Sequence, residues 1–158
     1  RADWDFLYRL RDRWPHKLVV KGVQAPEDAR RIKAAGADAI YVSNHGARQM
    51  NAAPPAIESI APVRAAIGDD MPLIVDGGVR SGEHVIKAIA SGADFVMIGR
   101  SAMYGLGARG ADGLADILDS FARDASAVIG LAGKTKMADI DSSCLARAHG
   151  YHPADAEN

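Results

Sequence analysis

The sequence predicts an α/β fold of about four parallel strands joined by helices, on three observations. Apolar runs of strand length alternate with helical patterns along the chain. The runs are apolar throughout rather than alternating, as strands buried on both faces are. There is also an internal repeat. Lys17-Leu18-Val19-Val20-Lys21-Gly22-Val23 resembles Pro72-Leu73-Ile74-Val75-Asp76-Gly77-Gly78-Val79, and Gly36-Ala37-Asp38 recurs as Gly92-Ala93-Asp94, each time just before a strand. Each copy spans one strand, one helix and the next strand. Two copies give four strands, which form either a small open sheet or half of an eight-stranded barrel.

Each element has a local reason. Trp4-Asp5-Phe6-Leu7-Tyr8-Arg9-Leu10-Arg11 reads as an amphipathic helix. Leu18-Val19-Val20 is short and largely β-branched, and a strand there ends at Lys21. Pro26-Glu27-Asp28 opens a helix with proline and acids in its first turn, and Gly36 stops it. The second strand is Ala39-Ile40-Tyr41-Val42, followed by a loop over residues 43–55 rich in Asn, Gly and Pro. A helix over about 57–67 ends at Gly68, and Leu73-Ile74-Val75 is the third strand. A helix over 82–90 ends at Gly92, the fourth strand covers 95–98, and a long helix covers about 113–129. The order suggests a barrel-type unit over residues 1–133 and a polar tail over 134–158 with a short helix at most.

Composition narrows the function. The chain has 158 residues, 48% of them hydrophobic, with 19 Lys and Arg against 20 Asp and Glu. A net charge of −1 lacks the basic excess of a nucleic-acid partner, so none is expected. No apolar run approaches the roughly 20 residues of a membrane span. The single Cys144 forms no internal disulfide and fits a reducing compartment, so a cytoplasmic location is expected. The default for Cys144 is a surface thiol, and for Met103 and Tyr104 packing at the rim. His16, His84, His149 and His152 show no metal-ligand spacing, and no metal is expected.

The chemistry is expected at the C-terminal ends of the strands, where parallel barrels carry their sites. Those ends read Lys21; then Ser43, Asn44, His45, Gly46 and Arg48; then Asp76, Gly77, Gly78, Val79 and Arg80; then Gly99 and Arg100. Lys21 either snorkels, pairs with a carboxylate or serves a ligand. His45 is either a base or a hydrogen-bonded loop histidine. Arg48 could clamp a carboxylate, although alone it reads as a surface arginine. Asp76-Gly77-Gly78 permits close backbone approach, and Gly99-Arg100 matches the phosphate pocket that many barrels build from their last loops.

The combination is more specific than its parts. Lys21-Gly22, Ser43-Asn44-His45-Gly46-Ala47-Arg48-Gln49, Asp76-Gly77-Gly78-Val79-Arg80 and Gly99-Arg100, in that order, resemble the FMN-dependent α-hydroxy acid dehydrogenase and oxidase family. Glycolate oxidase, lactate dehydrogenase and mandelate dehydrogenase belong to it. The resemblance covers residues 3–132. It implies the C-terminal half of a (β/α)8 TIM barrel, FMN as cofactor, and a small L-2-hydroxy acid oxidised to the 2-oxo acid. It implies that Lys21 sits beside the flavin N1 and O2, that Ser43 contacts the ring or ribityl chain, and that Asp76 holds the ribityl hydroxyls. The turn of Gly77, Gly78, Val79 and Arg80, with Gly99 and Arg100, would cradle the phosphate. His45 would take a proton from the substrate, and Arg48 would bind its carboxylate.

The family's chain has four further strand–helix units upstream, with substrate-contacting tyrosines and the acid that orients the histidine. The chain begins with Arg1, where the family has a long exposed loop. The expectation is a C-terminal half that was cleaved or divided off, inactive alone and needing the N-terminal half of the same barrel or self-association to fold. Relatives of this kind form homo-oligomers, including tetramers, and some lie peripherally on the inner membrane. Two alternatives stand beside this one: another FMN- or phosphate-binding TIM barrel, or an inactive half-barrel acting only as an assembly partner.

Overall fold

A computed structural model describes residues 3–50 and 52–146. In chain order it contains α1 (Trp4–Arg13), β1 (Val19–Val23), α2 (Pro26–Ala34), β2 (Ala39–Val42), α3 (Ala56–Ile67), β3 (Leu73–Val75), α4 (Gly82–Ala90), β4 (Phe95–Val96) and α5 (Arg100–Leu131). Short 3-10 turns cover His45–Ala47, Met137–Asp139 and Ser142–Cys144. The strands are all parallel and lie in the order β1-β2-β3-β4. Sequential strands thus sit side by side, as one arc of a barrel requires.

Register decides which residues face the helices. Val20, Ile40 and Leu73 form one row, and Val23, Val42 and Val75 another. Ile40, Val42, Leu73 and Val75 are buried against the helix layer with Ile60, Val63 and Ile67 of α3. The row between them, Lys21, Tyr41, Ile74 and Phe95, points the other way. Phe95 and Met97 are 59% and 41% exposed on that face. The sheet is therefore covered on one face and open on the other. Its outer strands, β1 and β4, each present an unpaired edge.

The repeat has a physical purpose at the N-terminal ends of the strands. Arg11 of α1 donates to Gly36 O at 3.1 Å and to Asp38 at 3.0 Å. Arg64 of α3 likewise donates to Gly92 O at 2.8 Å and pairs with Asp94. Each aspartate also accepts a backbone N–H from the neighbouring chain segment, Leu18 at 2.9 Å and Leu73 at 2.7 Å. The Gly-Ala-Asp triplet is thus a clasp that ties a helix, a turn and the adjacent strand together.

Several expectations change. The last helix starts at Arg100, not near residue 113, and is broken at Arg109 and Gly110 (φ 62°). Around this break, Gly105 and Gly113 lie in backbone contact, since a Cβ on Gly113 would stand 2.1 Å from Gly105 O. The fourth strand is cut to Phe95–Val96, because β4 pairs only with β3, through Ile74 and Val75. The described part of the tail is not merely polar: Ile140 is buried with Ile86, Ala90 and Ala125, and Cys144 packs partly buried against that cluster rather than as a surface thiol. Met103 and Tyr104, expected to pack at the rim, are 69% and 72% exposed. His149, His152 and the tail from residue 147 lie outside the described residues.

Candidate active site

The strand ends converge as the sequence suggests. Lys21, the β1 residue in register with Tyr41, sends its Nζ to Ser43 Oγ and to Asp76 Oδ2, both at 2.7 Å. Tyr41 donates to the same Oδ2 at 2.9 Å, and its ring lies 4.3 Å below the ammonium. Three adjacent strands thus meet in one hydrogen-bonded cluster. Burial pushes the Asp76 carboxyl up, but hydrogen bonds from Lys21, Ser43 and Tyr41 outweigh it and hold the group below the usual carboxylate range. Burial, with the adjacent Asp76 carboxylate, pushes the Tyr41 phenol up, so it stays a donor. Asp76 Oδ1 is buried and has no partner among the described residues. An unsatisfied charged acceptor at a strand end is costly and suits a ligand hydroxyl.

His45 lies in a turn built for position rather than for ease. His45 and Ala47 adopt left-handed φ of 54° and 59°, flanking Gly46 at 68°. Non-glycine residues in that region cost about 1–3 kcal/mol each, and surrounding bonds must hold them. Ser43 Oγ accepts from the His45 N–H, Asn44 Oδ1 from Gly46, and Asn44 O from Ala47. Asn44 is itself seated against the turn that follows β3, since a Cβ on Gly77 would stand 2.9 Å from its Oδ1. Arg48 Nε reaches His45 O at 3.4 Å, and Arg100 Nη2 and Arg48 Nε both lie 3.9 Å from where a Gly46 Cβ would be. The first residue of α5 therefore brings a second guanidinium to the His45 turn.

Gly77 and Gly78 have positive φ, and nothing stands within 4 Å of a Cβ on Gly78, which leaves space above the turn. The Arg80 N–H donates to His84 Nδ1 at 3.2 Å, while Ser81 caps α4. Gly99 precedes α5 with no side-chain cap, leaving helix N–H groups to be satisfied from outside. A cleft of about 330 Å³ runs between Asn44, Ile57, Gly77, Gly78, Val79 and His84. No cluster of three potential metal ligands exists among the described residues.

The sequence did not reveal Tyr41 as part of this site. Tyr41 reads as an apolar strand residue, and only its register opposite Lys21 shows that it faces the site. Asn44 and Gly22 lie within the quoted motifs, but their supporting contacts need coordinates.

Comparisons agree with this geometry. Residues 1–147 match the family described as FMN-dependent dehydrogenase. An L-lactate dehydrogenase of Pseudomonas syringae pv. syringae is 39% identical over 145 residues, which are 92% of this chain and 38% of that protein. An L-lactate oxidase of Lacticaseibacillus rhamnosus is 46% identical over 78% of this chain and 33% of its own length. Among solved structures, a monotopic membrane protein, (S)-mandelate dehydrogenase, superposes with a TM-score of 0.87 at 39% identity, over 92% of this chain and 38% of that one. A mandelate oxidase structure with (S)-2-phenylpropionate gives 0.82 at 42% identity, over 87% and 41%. The chain thus spans less than half the length of these relatives, and within that span it belongs to the FMN-dependent dehydrogenase family.

Proposed function

We propose that this chain supplies one side of an FMN-dependent enzyme that oxidises a small L-2-hydroxy acid to the 2-oxo acid. The observation that carries this is Asp76, whose carboxylate is held charged by Lys21, Ser43 and Tyr41 while Oδ1 is buried without a partner among the described residues. That oxygen fits a ribityl hydroxyl, and the open Gly77–Gly78 turn fits close approach of the same ligand. Arg80, Arg100 and the uncapped N–H groups after Gly99 supply donors suited to the phosphate. Lys21 offers a cation for negative charge on the flavin ring. Bound FMN would supply the two-electron acceptance that no side chain can.

The protein's own part is to hold the acid and move a proton. Arg48 binds the substrate carboxylate, and a guanidinium suits that planar anion bidentately. His45, three residues earlier in the same strained turn, takes a proton from the substrate and must be neutral to do so. The turn fixes both groups on one short element, which is what proximity catalysis requires.

The open sheet face and two free edges support a second element of the proposal: the working unit includes the complementary strand–helix units, in the same polypeptide or another. Homo-oligomer formation belongs to the same proposal. Among the described residues no helix is long and apolar enough to cross a membrane. Peripheral membrane placement is proposed from the likeness to (S)-mandelate dehydrogenase, a monotopic membrane protein. The test is FMN binding and anaerobic reduction by hydroxy acids in the assembled protein, meaning this chain with its complementary units.

A further inference from the structure

We infer that Gly22 is a positioning residue for the His45 base, a bare stretch of backbone against which the Cε1 edge of the imidazole is seated. The inference builds on the reading of His45 as base and adds what fixes its ring.

β1 contains a bulge. Lys21 pairs with Tyr41 and Val23 with Val42, so Gly22 has no partner on β2. The extra residue lets Lys21 face the site while Val23, only two positions later, turns into the core. It also brings the Gly22 Cα beside the histidine. A Cβ on Gly22 would stand 2.6 Å from His45 Cε1, 3.2 Å from Nε2 and 3.7 Å from Nδ1. All three distances fall on one ring and Cε1 is the nearest atom, so the contact is the Cε1 edge of the imidazole against a bare backbone. Two separate constraints therefore meet at this position. The backbone has φ of +95°, which any L side chain resists. The space above it is also filled by His45.

The second constraint is the functional one. The His45 side chain is on an exposed residue and hinges about its own χ angles, so an added methyl would swing the ring away rather than unfold the sheet. Among the described residues no hydrogen bond holds the ring: the one to Ser43 fixes the His45 backbone, and Arg48 reaches its carbonyl. A base displaced by about 1 Å loses about 100-fold in rate.

The experiment compares the assembled protein with its Gly22→Ala, His45→Ala and double variants, by crystal structure and by steady-state kinetics with L-lactate and L-mandelate. The expected structures show the ring in contact with Gly22 in the parent and moved off it in Gly22→Ala. The expected kinetics show kcat down about 100-fold in Gly22→Ala, with KM changed far less because Arg48 is untouched. In the His45→Ala background the same change adds almost nothing, although the strain at φ +95° is still there. A ring that keeps its place in Gly22→Ala overturns the inference, as does an equal loss of rate in the His45→Ala background. If Gly22→Ala does not fold, the parent structure decides, and an imidazole away from Gly22 overturns the seat. A His45→Ala enzyme of undiminished rate overturns the base reading instead, whichever way the ring lies.

Discussion

Lys21 and Asp76, 55 residues apart in sequence, close to 2.7 Å between Nζ and Oδ2 across three strands of the sheet. The contact uses one carboxylate oxygen and leaves Oδ1 buried without a partner among the described residues. Structural ion pairs usually satisfy both oxygens or expose them to water. This pair is therefore arranged to present an acceptor, and Tyr41 and Ser43 keep it charged.

Asp76→Asn keeps the shape and removes the charge. The FMN dissociation constant of the assembled protein should rise about tenfold to a hundredfold, the worth of one hydrogen bond to a charged group. Flavin fluorescence titration measures it. Unchanged affinity would detach Asp76 from the cofactor.

His45→Ala and Arg48→Lys separate two duties of one turn. Loss of the base should lower kcat by about 10²–10⁴-fold while FMN stays bound. Arg48→Lys keeps the charge but not the planar fork, so KM should rise by about tenfold with a smaller change in kcat. Steady-state kinetics check both.

Gly82→Ala tests the packing of α4 on α5. A Cβ there would stand 2.2 Å from Ala125 N and 2.3 Å from Phe121 O, both backbone atoms that cannot rotate aside. Stability should fall by about 1–3 kcal/mol or more. Urea unfolding reads it, and a neutral result would contradict the close helix approach.

How much of this was legible in the sequence follows from the range of each interaction. The strands and their crossovers rest on local patterns such as Leu73-Ile74-Val75 and the repeated Gly-Ala-Asp, so they were readable, whereas their sequential order came from the family resemblance. The His45 to Arg48 string was readable as a motif, and so was the convergence of strand ends at Lys21, Ser43 and Asp76. Tyr41 was not, because its role depends on register with a separate strand, opposite Lys21. The early start of α5 at Arg100 was hidden by its glycines, Gly105, Gly107 and Gly110, which read as breakers although only Arg109 and Gly110 leave helical geometry. Cys144 and Ile140 pack on α4 and α5 through contacts that a polar tail does not advertise.

The repeated clasp predicts acid sensitivity. Hydrogen bonding from Lys17, then from the Leu18 N–H, lowers the Asp38 carboxyl to about 2. Its pKa in the unfolded chain is about 3.9. The folded value is the lower one, so the unfolded chain binds the proton first. The stabilisation is complete above about pH 4 and is lost as pH falls toward about 2. Urea midpoints from about pH 2 to about pH 5 should show that slope, and Asp38→Asn should flatten it. A slope unaltered by the variant would remove Asp38 as its cause.

Everything proposed for the site depends on one property: this half-barrel, once completed, binds FMN and works on 2-hydroxy acids. A visible absorption spectrum of the assembled protein, followed by anaerobic addition of L-lactate, glycolate and L-mandelate, measures it. A flavin spectrum that bleaches with at least one of these acids is expected. An assembled protein that holds no flavin, or one whose flavin stays oxidised with every acid, would contradict the proposed function.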